Sequence, residues 1–100
     1  MAKPGATSTQ KPSKEWRPAT PYRLVAVEWE DSQRPIAPWQ WLDEFKLPDA
    51  VRCLSVGFLV AQTEAALALA PNLGDVDQSR AQGSGIIRIP QSAVRRIADL

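Results

Sequence analysis

Residues 51–61, VRCLSVGFLVA, alternate strictly between larger apolar and smaller or polar side chains, and this narrows the choice of fold sharply. A side-chain period of two belongs to a β-strand, because successive Cβ atoms point to opposite faces of a sheet. The alternation puts Leu54, Val56, Phe58 and Val60 on one face, the expected core face, and Cys53, Ser55 and Gly57 on the other. A strand with one apolar face needs a sheet around it and something packed against that face. Gly57 in mid-strand points to a bend or a close backbone approach, as the corners of a small barrel require.

The flanking segments extend the pattern. YRLVAVEWE, residues 22–30, reads as a first strand with Val25, Val27 and Trp29 on one side and Leu24 and Ala26 on the other, buried on both sides at its centre. Asp31, Ser32, Pro35 and Pro38 break it, and Pro38 suits the first turn of a short helix, WQWLDEF, that ends at Pro48. In that helix Trp39 and Leu42 face the core, and Trp41 and Phe45 meet at four-residue spacing. After a polar turn at Gln62, Thr63 and Glu64, ALALA forms the second arm of a hairpin. Residues 71–85, PNLGDVDQSRAQGSG, show no pattern, and so long a loop in a small domain is typically functional or mobile. IIRIP is a further strand. Residues 91–100 fit either a helical turn or a turn followed by a short closing strand, and the second is favoured.

These elements give a mainly β chain: a small open antiparallel barrel of SH3-like or Sm-like type with one short helix, spanning residues 21–100. Residues 1–20, MAKPGATSTQKPSKEWRPAT, form a disordered basic tail, for proline, lysine and small polar residues cannot supply a core. The tail carries net charge +3 and the remainder −2, which together make the chain's +1. About eighty patterned residues bury only about 60% of their unfolded surface, a thin core that self-association would help. A homo-oligomer is expected, by strand addition through the first or last strand.

Composition excludes several kinds of chemistry. With no His and one Cys, His-based triads and the usual zinc ligand sets are absent, and Cys53 has no internal disulfide partner. No apolar run approaches the roughly twenty residues of a membrane span, and no apolar stretch follows Lys3 as a secretory signal would. A soluble protein of a reducing compartment is expected, with no membrane association and no cofactor.

VEWEDS at 27–32, Trp39 and Trp41, CLSVGFLV at 53–60, ALAPNLGD at 68–75 and IRIP with the following AVRRIADL resemble a group of small accessory proteins encoded by tailed bacteriophages. The resemblance covers residues 22–100. It implies a viral origin and the host bacterial cytoplasm as the workplace, and it supplies no active site.

The candidate sites each have a plainer reading beside them. Glu28 and Glu30, on one strand face with Asp31 at the strand's end, have the chemistry to share a metal or exchange protons, or these acids are charges on a solvated strand edge that discourage pairing. Asn72, Asp75 and Asp77 are oxygen ligands at turn spacing, but the twelve-residue calcium frame is missing and turns use the same residues. Arg80, Gln82 and the amides around Gly83 and Gly85 suit an anion. Cys53 has no His to activate it and reads as an inert thiol. Arg52, Arg88, Arg95 and Arg96 would bind nucleic acid if they gathered on one surface, against the slightly acidic charge of the domain. Trp16, the one aromatic of the tail, either packs back on the barrel or anchors a partner.

The resulting expectation is a non-enzymatic, phage-encoded binding protein that occupies or sequesters a host protein of defence or regulation, with Trp16, Trp39, Trp41, Asp75, Asp77, Arg80 and Arg88 as candidate contacts and no metal site. The alternatives are an oligomer that takes up a nucleotide signal, with Arg80 and Arg88 on its phosphates, or an Sm-like RNA-binding protein.

Overall fold

The computed structural model describes residues 10–32 and 38–100. Pro35 and the first nine residues of the expected tail lie outside the described residues. Residues 10–22 carry no helix or strand, and the regular structure starts at β1, Arg23–Asp31. The long alternating segment is β2, Val51–Gln62, and ALALA is β3, Ala66–Ala70. Then come β4, Asn72–Gly74, β5, Gln82–Ser84, β6, Ile87–Pro90, a single 3-10 turn at Gln91–Ala93, and β7, Val94–Asp99.

The protein is mainly β and antiparallel, as expected. Five strands form one sheet in the order β6-β3-β2-β1-β7, and β4 and β5 form a separate two-stranded ribbon. The β2–β3 hairpin turns on Thr63, whose N–H donates to the Ala66 carbonyl at 2.8 Å and whose hydroxyl accepts from the N–H groups of Ala65 and Ala66. The closing strand after a turn is present: the chain passes through the 3-10 turn and returns β7 to the free side of β1, where the Leu100 N–H donates to the Leu24 carbonyl at 2.9 Å.

The core lies on one side of this sheet. Val25, Val27, Leu67, Leu69 and Ile89 are fully buried together, with Trp29, Leu59, Ala93 and Val94 packed around them. The register explains why β2 contributes so little bulk. Val25 stands opposite Gly57, Val27 opposite Ser55 and Trp29 opposite Cys53, so large side chains of β1 fill the space left by small ones of β2. The Trp29 indole N–H donates to the Ser55 hydroxyl at 3.0 Å, which keeps a polar group satisfied at the margin of the core. Gly57 does serve a close approach: a Cβ there would sit 3.2 Å from both the Ala70 carbonyl oxygen and the Leu69 Cβ.

Four expectations are corrected. First, the faces of β2 are the reverse of those assigned. Leu54 and Val56 are exposed and Phe58 only half-buried, whereas Gly57 is buried and Ser55 and Cys53 half-buried. Apolar bulk alone pointed to the wrong face because the partner strand decides which row of side chains is covered. Second, the segment 39–45 is not a helix. It makes one turn, with the Glu44 N–H on the Trp41 carbonyl at 3.0 Å, and Trp39, Trp41 and Leu42 point to solvent. Nine residues between Pro38 and Pro48, rich in aromatic and acidic types, are too few to offset the cost of helix nucleation without a packed face. Third, residues 71–85 are not simply a loop. β4 and β5 pair from Asn72 with Ser84 to Gly74 with Gln82, since main-chain pairing over three residues needs no side-chain alternation. Fourth, β1 is an interior strand, so it offers no edge for strand addition and its acids guard none.

Candidate functional site

Alternation that buries Val25 and Val27 and turns Trp29 toward the same core places Leu24, Ala26 and Glu28 on the opposite side of the sheet. There they meet Phe58, Val56 and Leu54 of β2 and Ala98 and Arg96 of β7, each directly across the ladder from one of them. Toward one end this outer face is covered in part: Gly83, from the β4–β5 ribbon, approaches Ala70, and Trp16, Arg17, Pro18 and Thr20 lie along a shallow groove with Tyr22, Leu24, Phe58 and Leu100. Trp16 therefore reaches the domain yet stays 68% exposed. Toward the other end the face is open, and Leu54 is 73% exposed at its centre.

Charge frames the open end. Glu28 accepts from Arg96 Nε at 2.7 Å and from Arg52 Nη2 at 2.9 Å, and both hydrogen bonds hold its carboxyl below the usual carboxylate range, Arg96 contributing most. Two guanidiniums on one carboxylate leave the group with net charge +1. Glu30 accepts from Arg95 at 2.8 Å. These bonds account for the acids that the sequence offered as a metal or proton-transfer pair, and for three of the four arginines offered as a nucleic-acid surface. Among the described residues, no three His, Cys, Asp or Glu converge as a metal would need.

The segment between β1 and β2, described from Pro38 to Ala50, is the second notable feature. Trp39 is 91% and Trp41 79% exposed, and the two indoles with Gln40 line a small cleft of their own. Leu42 and Leu47 are exposed too. Asp43, Glu44 and Asp49 against Lys46 give residues 38–50 net charge −2.

The remaining candidates fall at the other end of the molecule or stand alone. Asp75 adopts φ 53°, a left-handed conformation that Asp tolerates in turns, and its carbonyl accepts from the Gln78 N–H at 3.0 Å. Its carboxylate accepts from the Gln82 side-chain amide across the ribbon, and the Asp77 carboxylate accepts from Gln78 at 3.2 Å. Both acids are thus engaged in holding the β4–β5 turn. Arg80 lines a shallow cleft with Asp75, Ala81 and Gln82, where a carboxylate opposes an incoming anion. Arg88, across from Ala68 on β6, shares the outer side of the sheet by alternation and has no ion-pair partner among the described residues. Cys53 is half-buried beside Trp29, with its thiol 3.7 Å from the Val51 carbonyl oxygen.

Sequence reasoning missed Leu54 and Val56 as surface features, and it offered Arg52 and Arg96 as a nucleic-acid surface rather than as partners of Glu28. The signal that could have found Leu54 and Val56 is the row of small residues Cys53, Ser55 and Gly57, which complements Val25, Val27 and Trp29 better than a second bulky row would. No helix among the described residues is long and apolar enough to cross a membrane. No protein-family model, curated protein or solved structure matches this chain.

Proposed function

We propose that this is a non-enzymatic binding protein, made by a bacteriophage and working in the host bacterial cytoplasm, that occupies a host protein of defence or regulation through the aromatic arm and the open sheet face. One observation carries the reading: two Trp side chains two residues apart, Trp39 and Trp41, are each more than three-quarters exposed on this arm, the segment between β1 and β2. Exposed Trp is costly in water and is the side chain most enriched at interface hot spots. The viral origin is supported by the sequence resemblance. The small-barrel reading, SH3-like or Sm-like, is supported by the antiparallel order β6-β3-β2-β1-β7, in which β7 follows β6 through one 3-10 turn and lies beside β1 at the opposite side of the sheet.

The nucleotide reading draws less support, because Arg80 shares its cleft with Asp75 rather than with Arg88. Nucleic-acid binding is weakened by the pairing of Arg52, Arg95 and Arg96 with acids. The test is affinity capture from bacterial lysate with the tagged chain and with a Trp39→Ala/Trp41→Ala variant. A host protein retained by the first and lost by the second is the expected result. Equal capture by both, or none by either in infected and uninfected lysate, overturns the proposal.

A further inference from the structure

The arm and the open sheet face are complementary to each other, and the apolar side chains Trp39, Trp41, Leu42 and Leu47 of the one and Leu54 and Val56 of the other are exposed among the described residues. The arm offers Trp39, Trp41, Leu42 and Leu47 with net charge −2, and the face offers Leu54, Val56, Ala26 and Ala98 beside the Arg52–Glu28–Arg96 group with net charge +1. Arg88, unpaired among the described residues, adds a further positive charge on the same side of the sheet. We infer that, where no host protein is bound, the occupant of this face is the arm of a second copy, and that two chains exchange arms about a two-fold axis, so that each arm lies on its partner's open face and a host protein competes with the second copy for these surfaces.

Area favours this reciprocal arrangement. An aromatic side chain buries about 150–250 Å², so the four indoles of two exchanged arms contribute about 600–1,000 Å² on their own. The exposed leucines of the arms and the Leu54 and Val56 side chains they cover bring the total into the range of about 1,200–2,000 Å² typical of a stable complex. A two-fold axis doubles every contact, whereas one arm on one face gives half that area. Reach is sufficient as well. The arm joins β2 at Val51, next to Arg52 at the charged end of the face, and thirteen extended residues span about 40 Å.

Sign and solvation act together in the contact. The acids of the arm arrive at a group where two guanidiniums share one carboxylate, so they complete the pairing of charges that are already partly satisfied and need no full desolvation. The apolar part supplies the affinity, and the charges set the direction in which the arm lies. The inference does not depend on a host partner, since it concerns the purified chain alone, and its failure leaves the capture experiment untouched.

Light scattering and sedimentation of the pure protein test it. The mass is expected to rise from 11.0 kDa to twice that value across the micromolar range. Trp39→Ala/Trp41→Ala in the arm and Leu54→Glu in the face are each expected to raise the dimer Kd by about 30-fold or more, the effect of losing a hot-spot contact. These positions are exposed, so circular dichroism of both variants is expected to match the parent. Mixing the two variants restores one sound half-interface, and a mixed dimer weaker than the parent but tighter than either variant alone is expected. A wild-type mass that stays at 11.0 kDa at every concentration overturns the inference. So does a dimer that survives both variants, which would place the contact at a sheet edge instead.

Discussion

The two faces of the five-stranded sheet are built from the same strands and differ in what covers them. On one, Val25, Val27, Leu67, Leu69 and Ile89 exclude water almost completely. On the other, Leu24, Ala26, Leu54, Val56 and Phe58 are as apolar by composition, yet they stay half-buried or exposed. The difference is one of coverage. Residues contributed by β3, β6 and the 3-10 turn pack into the first face, while among the described residues Trp16, with its neighbours, and the β4–β5 ribbon reach part of the second. Hydrophobicity therefore measures what a side chain contributes once covered, and the covered face carries the stability of the free chain while the open face is available for association.

The largest expected effect separates the faces by stability. Leu69→Ala should destabilise the protein by about 2–5 kcal/mol, because a fully buried leucine leaves a cavity when truncated. Leu54→Ala should change stability by no more than about 0.5 kcal/mol in the monomer, as for an exposed position. Chemical denaturation of both variants at low protein concentration checks the pair, and similar losses would erase the distinction between faces. A smaller effect tests the polar margin of the core. Ser55→Ala removes the acceptor of the Trp29 indole and should cost about 1–2 kcal/mol, whereas Ser55→Thr, which keeps a hydroxyl, should cost less if its methyl is accommodated. An inert Ser55→Ala would mean that water replaces the hydroxyl.

The smallest effect concerns the charges of the open face. The Glu28 carboxyl is held below its ordinary value of 4.5 by Arg96 and Arg52. The stabilisation it provides is present above the unfolded-state value and fades as pH falls through the depressed folded-state value, so stability should decline on acidification below about pH 4.5. In Glu28→Gln that part of the decline should be absent, and its thermal transition should fall less steeply with acid than the parent's. Identical pH profiles would show that the two arginines find other partners.

Much of the architecture was legible along the chain. The period of two in 22–30 and 51–61, the Thr63 turn and the ALALA strand reflect local backbone rules, and the structure follows them. The glycine at 57 announced a close approach. The site was less legible, and for physical reasons. Trp39 and Trp41 were conspicuous as residues, but their setting on an exposed turn instead of a helix depends on whether a packing partner is present to offset helix nucleation. Asp75 and Asp77 looked like ligands because turns and metal loops draw on the same residues, and only the bond to Gln82 and the positive φ show the turn at work.

By itself the sequence determined a mainly β chain, the positions of its longer strands β1, β2 and β3, the chemistry denied by the lack of His, and the concentration of positive charge in the first twenty residues, because composition and side-chain period are local properties. Only the tertiary structure decided which face of β2 is buried, that β1 is interior, and that Glu28 lies between Arg52 and Arg96. Those outcomes depend on pairing between strands far apart in the chain. A strand presents two rows of side chains, and its neighbours choose the row that faces the core by whether their bulk fits against it.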